Sequence, residues 1–173
     1  KEEIRHLSIC KLKLVENSVV FDIGCGTGSI SIEAAAMSPD IKVYAIETNP
    51  DAVKLTKQNC KKQNLANVKV IENLAPSGFD NLPVPTNVFI GGSKGNLREI
   101  IQSLADKKSG MRIVINAVSL ETIAEVSDIA DDFNISDFEA VCINVGKAKK
   151  IGGYHLMQAN NPVYIFSFDL QAE

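Results

Sequence analysis

The chain has 173 residues, 45% of them hydrophobic and 23% charged, with a formal net charge of −3. That is apolar material enough for one packed domain and too much for a disordered chain. The slightly acidic balance gives no sign of a generic basic face for nucleic acid and leaves room only for a local patch.

No apolar run reaches the roughly 18 to 20 residues that cross a bilayer, so no membrane span is expected. The sequence opens Lys1-Glu-Glu-Ile-Arg5, with neither an initiator methionine nor an apolar leader core, as expected of a trimmed chain. Cys10, Cys25, Cys60 and Cys142 lie far apart and, with two histidines, make no zinc spacing. Free thiols, no metal and a reducing cytoplasmic compartment are the expectation.

The spacing of Ile4, Leu7, Lys11 and Leu14, widened by Ile9 and Leu12, predicts an opening helix within residues 1–17. Residues 18–173 then form the core of a single domain. Val19 to Ile23 reads as a buried strand running into a glycine turn and a helix over Ser29 to Met37, closed near Pro39. Val43 to Glu47 is a second strand. Asn49-Pro50-Asp51 starts a helix that runs to about Gln63, with proline at its first turn and Asp51 facing the positive helix end. Val68 to Ile71 is a third strand, followed by a loop punctuated by Pro76, Gly78, Pro83 and Pro85.

Asn87 to Ile90 is a fourth strand, and a helix follows from Asn96 to Ala105. Met111 to Ala117 is a fifth strand, and Leu120 to Phe133 a long helix. Ala140 to Val145 and Val163 to Asp169 are two final strands with no strong helix between them, so they pair antiparallel. The fold class is therefore α/β: a Rossmann-like, mostly parallel sheet of seven strands with a C-terminal antiparallel hairpin and helices on both faces.

Gly24-Cys25-Gly26-Thr27-Gly28 stands where the first strand hands over to the first core helix. In an open α/β sheet, ligands bind beyond the carboxyl ends of the strands, and glycines there allow close backbone approach. A dinucleotide-binding turn places its third glycine or alanine where this chain has Ser29, and Asp22 would oppose a pyrophosphate. The same Asp22 suits S-adenosylmethionine, whose amino-acid end is an ammonium and whose sulfur is a sulfonium. Glu47, ending the second strand, can accept from both ribose hydroxyls and serves either class. A plain strand-to-helix turn, with Asp22 as a helix cap, explains the same residues without a ligand.

The string Asp22-Ile-Gly-Cys-Gly-Thr-Gly-Ser-Ile-Ser-Ile-Glu-Ala-Ala35 resembles the precorrin-6Y methyltransferases of cobalamin biosynthesis, the decarboxylating enzymes that methylate carbon 15 of a corrin precursor. Lys1 to Arg5, Phe89-Ile-Gly-Gly-Ser93 and Asn161-Pro-Val-Tyr164 agree, so the resemblance covers nearly the whole chain. It implies a class I S-adenosylmethionine-dependent methyltransferase with cofactor contacts at Asp22, at Gly24 to Gly28 (Cys25, Gly26 and Thr27 included) and at Glu47. It also implies adenine contacts from Asn73, Leu74 and Ala75. Relatives carry Gly-Asp where this chain has Asn73-Leu74, so adenine reading there falls to the backbone groups of Leu74 and Ala75. A tetrapyrrole substrate, coupled loss of carbon dioxide from the ring-C acetate and a homo-oligomer, a tetramer, are further implications. The resemblance leaves metal-free and cobalt-containing precursors open, and a short stand-alone chain points to the cobalt-containing type.

The sulfonium methyl is already electrophilic, so alignment and water exclusion are the protein's main tasks, and no nucleophilic relay is expected. No catalytic residue, and no proton donor for decarboxylation, is identified. Gly91, Gly92 and Ser93, with Lys94 and Gly95, start a helix beyond the fourth strand and are expected to floor the substrate site. Arg5 either holds a substrate carboxylate or forms a surface ion pair, and Lys147, Lys149, Lys150 and His155 read first as a solvated loop and second as a patch that steers an anionic substrate. An RNA or other small-molecule methyltransferase is the first rival. The Asn/Asp-Pro-Pro-aromatic motif of base-amine methylation is replaced here by Ile90-Gly91-Gly92-Ser93, and Asn161-Pro162 lies in another element. A nicotinamide-dependent oxidoreductase fits the glycine register poorly. A non-catalytic cofactor-binding subunit remains a third reading.

Overall fold

The computed structural model describes residues 1–79 and 81–172. Helix α1 (Glu2–Leu12) leads into β1 (Val19–Ile23), α2 (Ser29–Met37), β2 (Lys42–Glu47), α3 (Pro50–Lys62) and β3 (Val68–Glu72). Then come β4 (Asn87–Ile90), α4 (Leu97–Ala105), β5 (Met111–Ala117) and α5 (Leu120–Asp132). Four strands close the chain: β6 (Ile135–Ile143), β7 (Gly146–Ile151), β8 (Tyr154–Ala159) and β9 (Val163–Leu170). Among the described residues, no helix is long and apolar enough to cross a membrane.

Seven strands form one sheet in the order β3-β2-β1-β4-β5-β9-β6. The strands from β3 to β5 run parallel, whereas β9 is antiparallel to both β5 and β6. The central strands are apolar on both faces, as burial between two helical layers demands. Alternation divides their side chains. Phe21, Val88, Ile90, Ile113 and Ile115 join the cluster under α4 and α5. Val20, Phe89 and Val114 join the cluster under α1 and α2.

The expected elements of the first five strands stand within a residue or two of their predicted ends. Helix α3 begins as its sequence implies: the Asn49 side chain accepts from the Asp51 and Ala52 N–H groups, and Pro50 occupies the first turn. The chain's end differs. Strand β6 starts at Ile135, earlier than Ala140, and stops before Val145. The lysine-rich link is not a loop. It is a separate two-stranded sheet, β7 against β8, with Ile151 opposite Tyr154 across Gly152-Gly153. Gly152 takes a φ of 61°, the left-handed backbone that a tight hairpin turn needs. Each residue of both strands is exposed.

Candidate cofactor and substrate site

Strands β1 and β4 are neighbours whose connections leave in opposite directions, so a crevice opens beyond their carboxyl ends. Two loops floor it. In the first, Gly24, Gly26 and Gly28 have φ of 69°, 57° and 77°. A Cβ on Gly24 would lie 2.5 Å from the Gly92 carbonyl oxygen, so the two loops meet backbone to backbone and only glycine fits. A Cβ on Gly28 would lie 2.5 Å from Cγ2 of Thr56, which reaches in from α3. The Thr56 hydroxyl also donates to the Gly26 carbonyl at 2.9 Å. Gly26 itself faces open space.

Glu47 fastens this loop to β2. Its Oε2 accepts from the Gly26 N–H at 3.0 Å, and Oε1 accepts from the N–H groups of Thr48 at 2.8 Å and Asn49 at 2.9 Å. Burial works to raise the Glu47 carboxyl, but these backbone donors and the Thr48 hydroxyl outweigh it and hold the group below its ordinary value. Glu47 is therefore an anion at neutral pH, and Oε2, with one donor, keeps room for another.

Asp22 is wholly buried. Its Oδ2 accepts from the Ser31 N–H at 3.0 Å and from the Ser31 hydroxyl. Helix α2 has no side-chain cap at Gly28, so Asp22 satisfies one of its end N–H groups from the neighbouring strand. The cap reading of Asp22 is thus realised on one oxygen. The other, Oδ1, is buried with no partner among the described residues. Burial pushes the carboxyl up to about 6 against the pull of Ser31, and nearby Glu47 adds to the rise. Cys25 is pushed up to about 12 by burial and by Asp22, so it stays a thiol and is no nucleophile.

A cavity of about 220 Å³ occupies the crevice, lined by Ile23, Gly24, Ile46, Glu47, Thr48, Asn73, Leu74, Ala75, Gly92, Ser93 and Lys94. The predicted set Gly24, Glu47, Asn73, Leu74 and Ala75 thus converges on one hollow. Asp22, Cys25 and Gly28 stand behind it, and Thr27 is exposed on the far side of the loop. One expectation shifts. The Leu74 N–H already donates to Oδ1 of its neighbour Asn73 at 2.8 Å, so the backbone reading of adenine there competes with a local turn. Ile23, Ile46 and Thr48 were not anticipated as lining residues. The signal was their place at the carboxyl ends of β1 and β2.

A second cleft of about 250 Å³ continues past Gly91, Gly92, Ser93 and Lys94 to Asn116, Val118 and Thr122, beyond β4 and β5. Gly92, Ser93 and Lys94 therefore sit between two hollows, and Gly91 lines the second alone. Arg5 does not join them. It is paired with Glu33 of α2 and lines a separate cleft with Thr27, Ser29 and Asn59. The ion pair forms because α1 and α2 pack side by side, which linear spacing does not show. Lys147 is paired with Glu3 at 3.0 Å, and Lys149, Lys150 and His155 project from the β7–β8 hairpin.

These features suit S-adenosylmethionine. A buried carboxylate oxygen lacks a partner among the described residues, a second carboxylate ends β2, and the glycine turn leaves backbone exposed where a side chain would intrude. Residues 1–169 match the family model described as "Precorrin methyltransferase domain". A probable cobalt-precorrin-6B C(15)-methyltransferase (decarboxylating) of Methanocaldococcus jannaschii is 40% identical over 167 residues, 95% of this chain and 87% of that one. The crystal structure of a precorrin-6y C5,15-methyltransferase from Geobacter metallireducens matches with a TM-score of 0.91 and 40% identity, covering 97% of this chain and 88% of that one. A structure described as precorrin 8w decarboxylase, from Methanobacterium thermoautotrophicum, matches with a TM-score of 0.86 and 31% identity, covering 95% and 88%.

Proposed function

Because the chain belongs to the precorrin methyltransferase family, we propose that it moves a methyl group from S-adenosylmethionine to carbon 15 of cobalt-precorrin-6B, with loss of carbon dioxide from the ring-C acetate. The observation that carries the reading is the pair of adjoining hollows that share Gly92, Ser93 and Lys94. One suits a nucleoside-sized cofactor and the other opens outward to an acceptor.

In this reading Glu47 holds the ribose hydroxyls and the Asn73–Ala75 segment borders the adenine. Gly24, with Gly26 and Gly28 shaping the turn, lets the amino-acid end approach the backbone, and Asp22 supplies negative charge beneath it. S-adenosylmethionine brings the electrophilic methyl group. The chain's own residues position and enclose. Ile23, Ile46 and Leu74 give the cavity apolar walls that exclude water, and Gly91, Gly92 and Ser93 leave space for a large macrocycle. The cysteines are free thiols among the described residues, which supports placement in a reducing cytoplasm. We assign a homo-oligomer, a tetramer, with the exposed β7–β8 hairpin as the associating surface.

The test joins binding to turnover. S-adenosylhomocysteine titrated calorimetrically binds the wild type, and Glu47→Gln weakens it at least tenfold through the lost charge-assisted bonds, each worth about 1.5–3 kcal/mol. Incubation with S-adenosylmethionine and cobalt-precorrin-6B yields, by mass spectrometry, a product with one methyl more and one carbon dioxide less. Binding of NADH in place of S-adenosylhomocysteine would overturn the reading.

A further inference from the structure

We propose that Lys94 is the residue that anchors a carboxylate of the acceptor at the junction of the two hollows. The inference rests on the acceptor reading above and adds to it a residue and a role. Three observations converge. Lys94 borders both the inner cavity and the outer cleft. Among the residues lining the two, Glu47 is the one carboxylate and Lys94 the one cation. Glu47 is engaged by backbone donors, whereas Lys94 enters none of the ion pairs found among the described residues. An ammonium so placed is open to an incoming anion.

Backbone geometry adds a separate argument. Lys94 has a φ of 57°, in the left-handed region where a side chain is strained, and it stands beside Gly95 with a φ of 86°. Glycine would sit there at lower cost. Lys13 and Lys108 take a similar φ away from both hollows, so the backbone singles out Lys94 only together with its place at the border of the two. The electrostatics agree. A lysine ammonium without an ion-pair partner among the described residues attracts an acceptor carboxylate. Asn116 and Val118 line the same outer cleft and offer an amide and an apolar edge to the rest of a carboxylate-fringed macrocycle.

The test uses uroporphyrin, a macrocycle fringed with acetate and propionate groups, titrated into the protein loaded with S-adenosylhomocysteine and read by porphyrin fluorescence. Wild type, Lys94→Arg, Lys94→Met and Lys94→Gly are compared. Loss of one charge-assisted contact weakens porphyrin binding about tenfold in Lys94→Met and Lys94→Gly, and Lys94→Arg keeps it within about twofold. The salt dependence of binding drops in the two uncharged variants. Each variant is saturated with S-adenosylhomocysteine, whose affinity is measured separately, so that a change in porphyrin binding is read apart from any change in cofactor binding. Lys94→Gly melts no lower than the wild type, because relief of strain offsets the lost side chain. A merely structural lysine gives the opposite split, with lower melting and unchanged porphyrin affinity. Equal porphyrin binding by wild type and Lys94→Met overturns the inference, as does a wild type that takes S-adenosylhomocysteine but no porphyrin. Failure of the wild type to bind S-adenosylhomocysteine overturns the methyltransferase reading, and with it this role.

Discussion

Asp22 lies wholly inside the protein with one oxygen bonded to Ser31 and the other without a partner among the described residues. Burial raises its carboxyl from 3.8 to about 6. Between those values the folded chain binds more protons than the unfolded one, so stability falls as pH rises through the window. A shift of that size corresponds to about 3 kcal/mol, lost by the time the pH passes the folded value and restored below the unfolded one. Asp22→Asn keeps an acceptor for Ser31 and removes the charge. Denaturant titration is expected to find this variant about 2 kcal/mol more stable than the wild type near neutral pH, and equal to it under acid conditions. Cofactor binding runs the other way. A cationic amino-acid end favours the ionised carboxylate, so wild-type affinity for S-adenosylhomocysteine falls as pH drops through about 6. Asp22→Asn binds more weakly at neutral pH and shows no such fall. If calorimetry finds both proteins alike at each pH, Asp22 is a helix cap and nothing more.

Arg112 ties elements together that chain order keeps apart. It opens β5 at the sheet end opposite the glycine turn, and it is almost fully buried. Its Nε donates to the Lys11 carbonyl at the end of α1, and Nη2 to the Ser167 hydroxyl of β9 at 3.0 Å. Its Nη1 reaches Asp137 of β6 at 2.8 Å and Asp169 of β9 at 3.2 Å. The planar fork matches these directions and a lysine cannot. Arg112→Ala is expected to lower the unfolding free energy by about 3 kcal/mol in urea, with Arg112→Lys recovering less than half. A loss below about 1 kcal/mol would reduce the cluster to a solvated surface contact.

That network also marks where the sequence was legible and where it was not. Val19 to Ile23 and Asn87 to Ile90 announce themselves as apolar runs before glycine, and they end at the candidate site. The Arg112 contacts join residues from α1, β5, β6 and β9, and no local pattern encodes them. The early start of β6 was hidden by its charged and exposed residues, among them Asp137 at a φ of 51°, next to a register shift against β9. The β7–β8 hairpin was masked by lysines, although Gly152-Gly153 between Ile151 and Tyr154 is a hairpin signal. For Arg5 the surface ion pair holds and the substrate carboxylate does not, and its partner Glu33 is not legible in the sequence because it lies on another helix.

At the scale of the whole molecule, the sheet and its helices form a closed core, and the β7–β8 hairpin stands apart from it. An isolated two-stranded hairpin is marginal in water. This one exposes Ile151, Tyr154, Leu156 and Met157 at 53%, 75%, 53% and 70%. Ile151 faces Tyr154 and Lys149 faces Leu156 across the strands, so the alternation puts Tyr154 and Leu156 on one face with those partners. Covering that face against further copies of the chain would stabilise both the hairpin and the assembly, at about 25 cal/mol per Å² of apolar surface removed from water. Paired substitution Tyr154→Glu with Leu156→Glu puts like charges on the face proposed for association. Light scattering after gel filtration is expected to show a tetramer for the wild type and a smaller species for the double variant. Because the proposed cofactor hollow lies beyond β1 and β4, the double variant is expected to bind S-adenosylhomocysteine within about twofold of the wild type. A wild type that runs as a monomer at micromolar concentration removes the hairpin's role in self-assembly, and an unchanged tetramer in the double variant moves the interface to another surface.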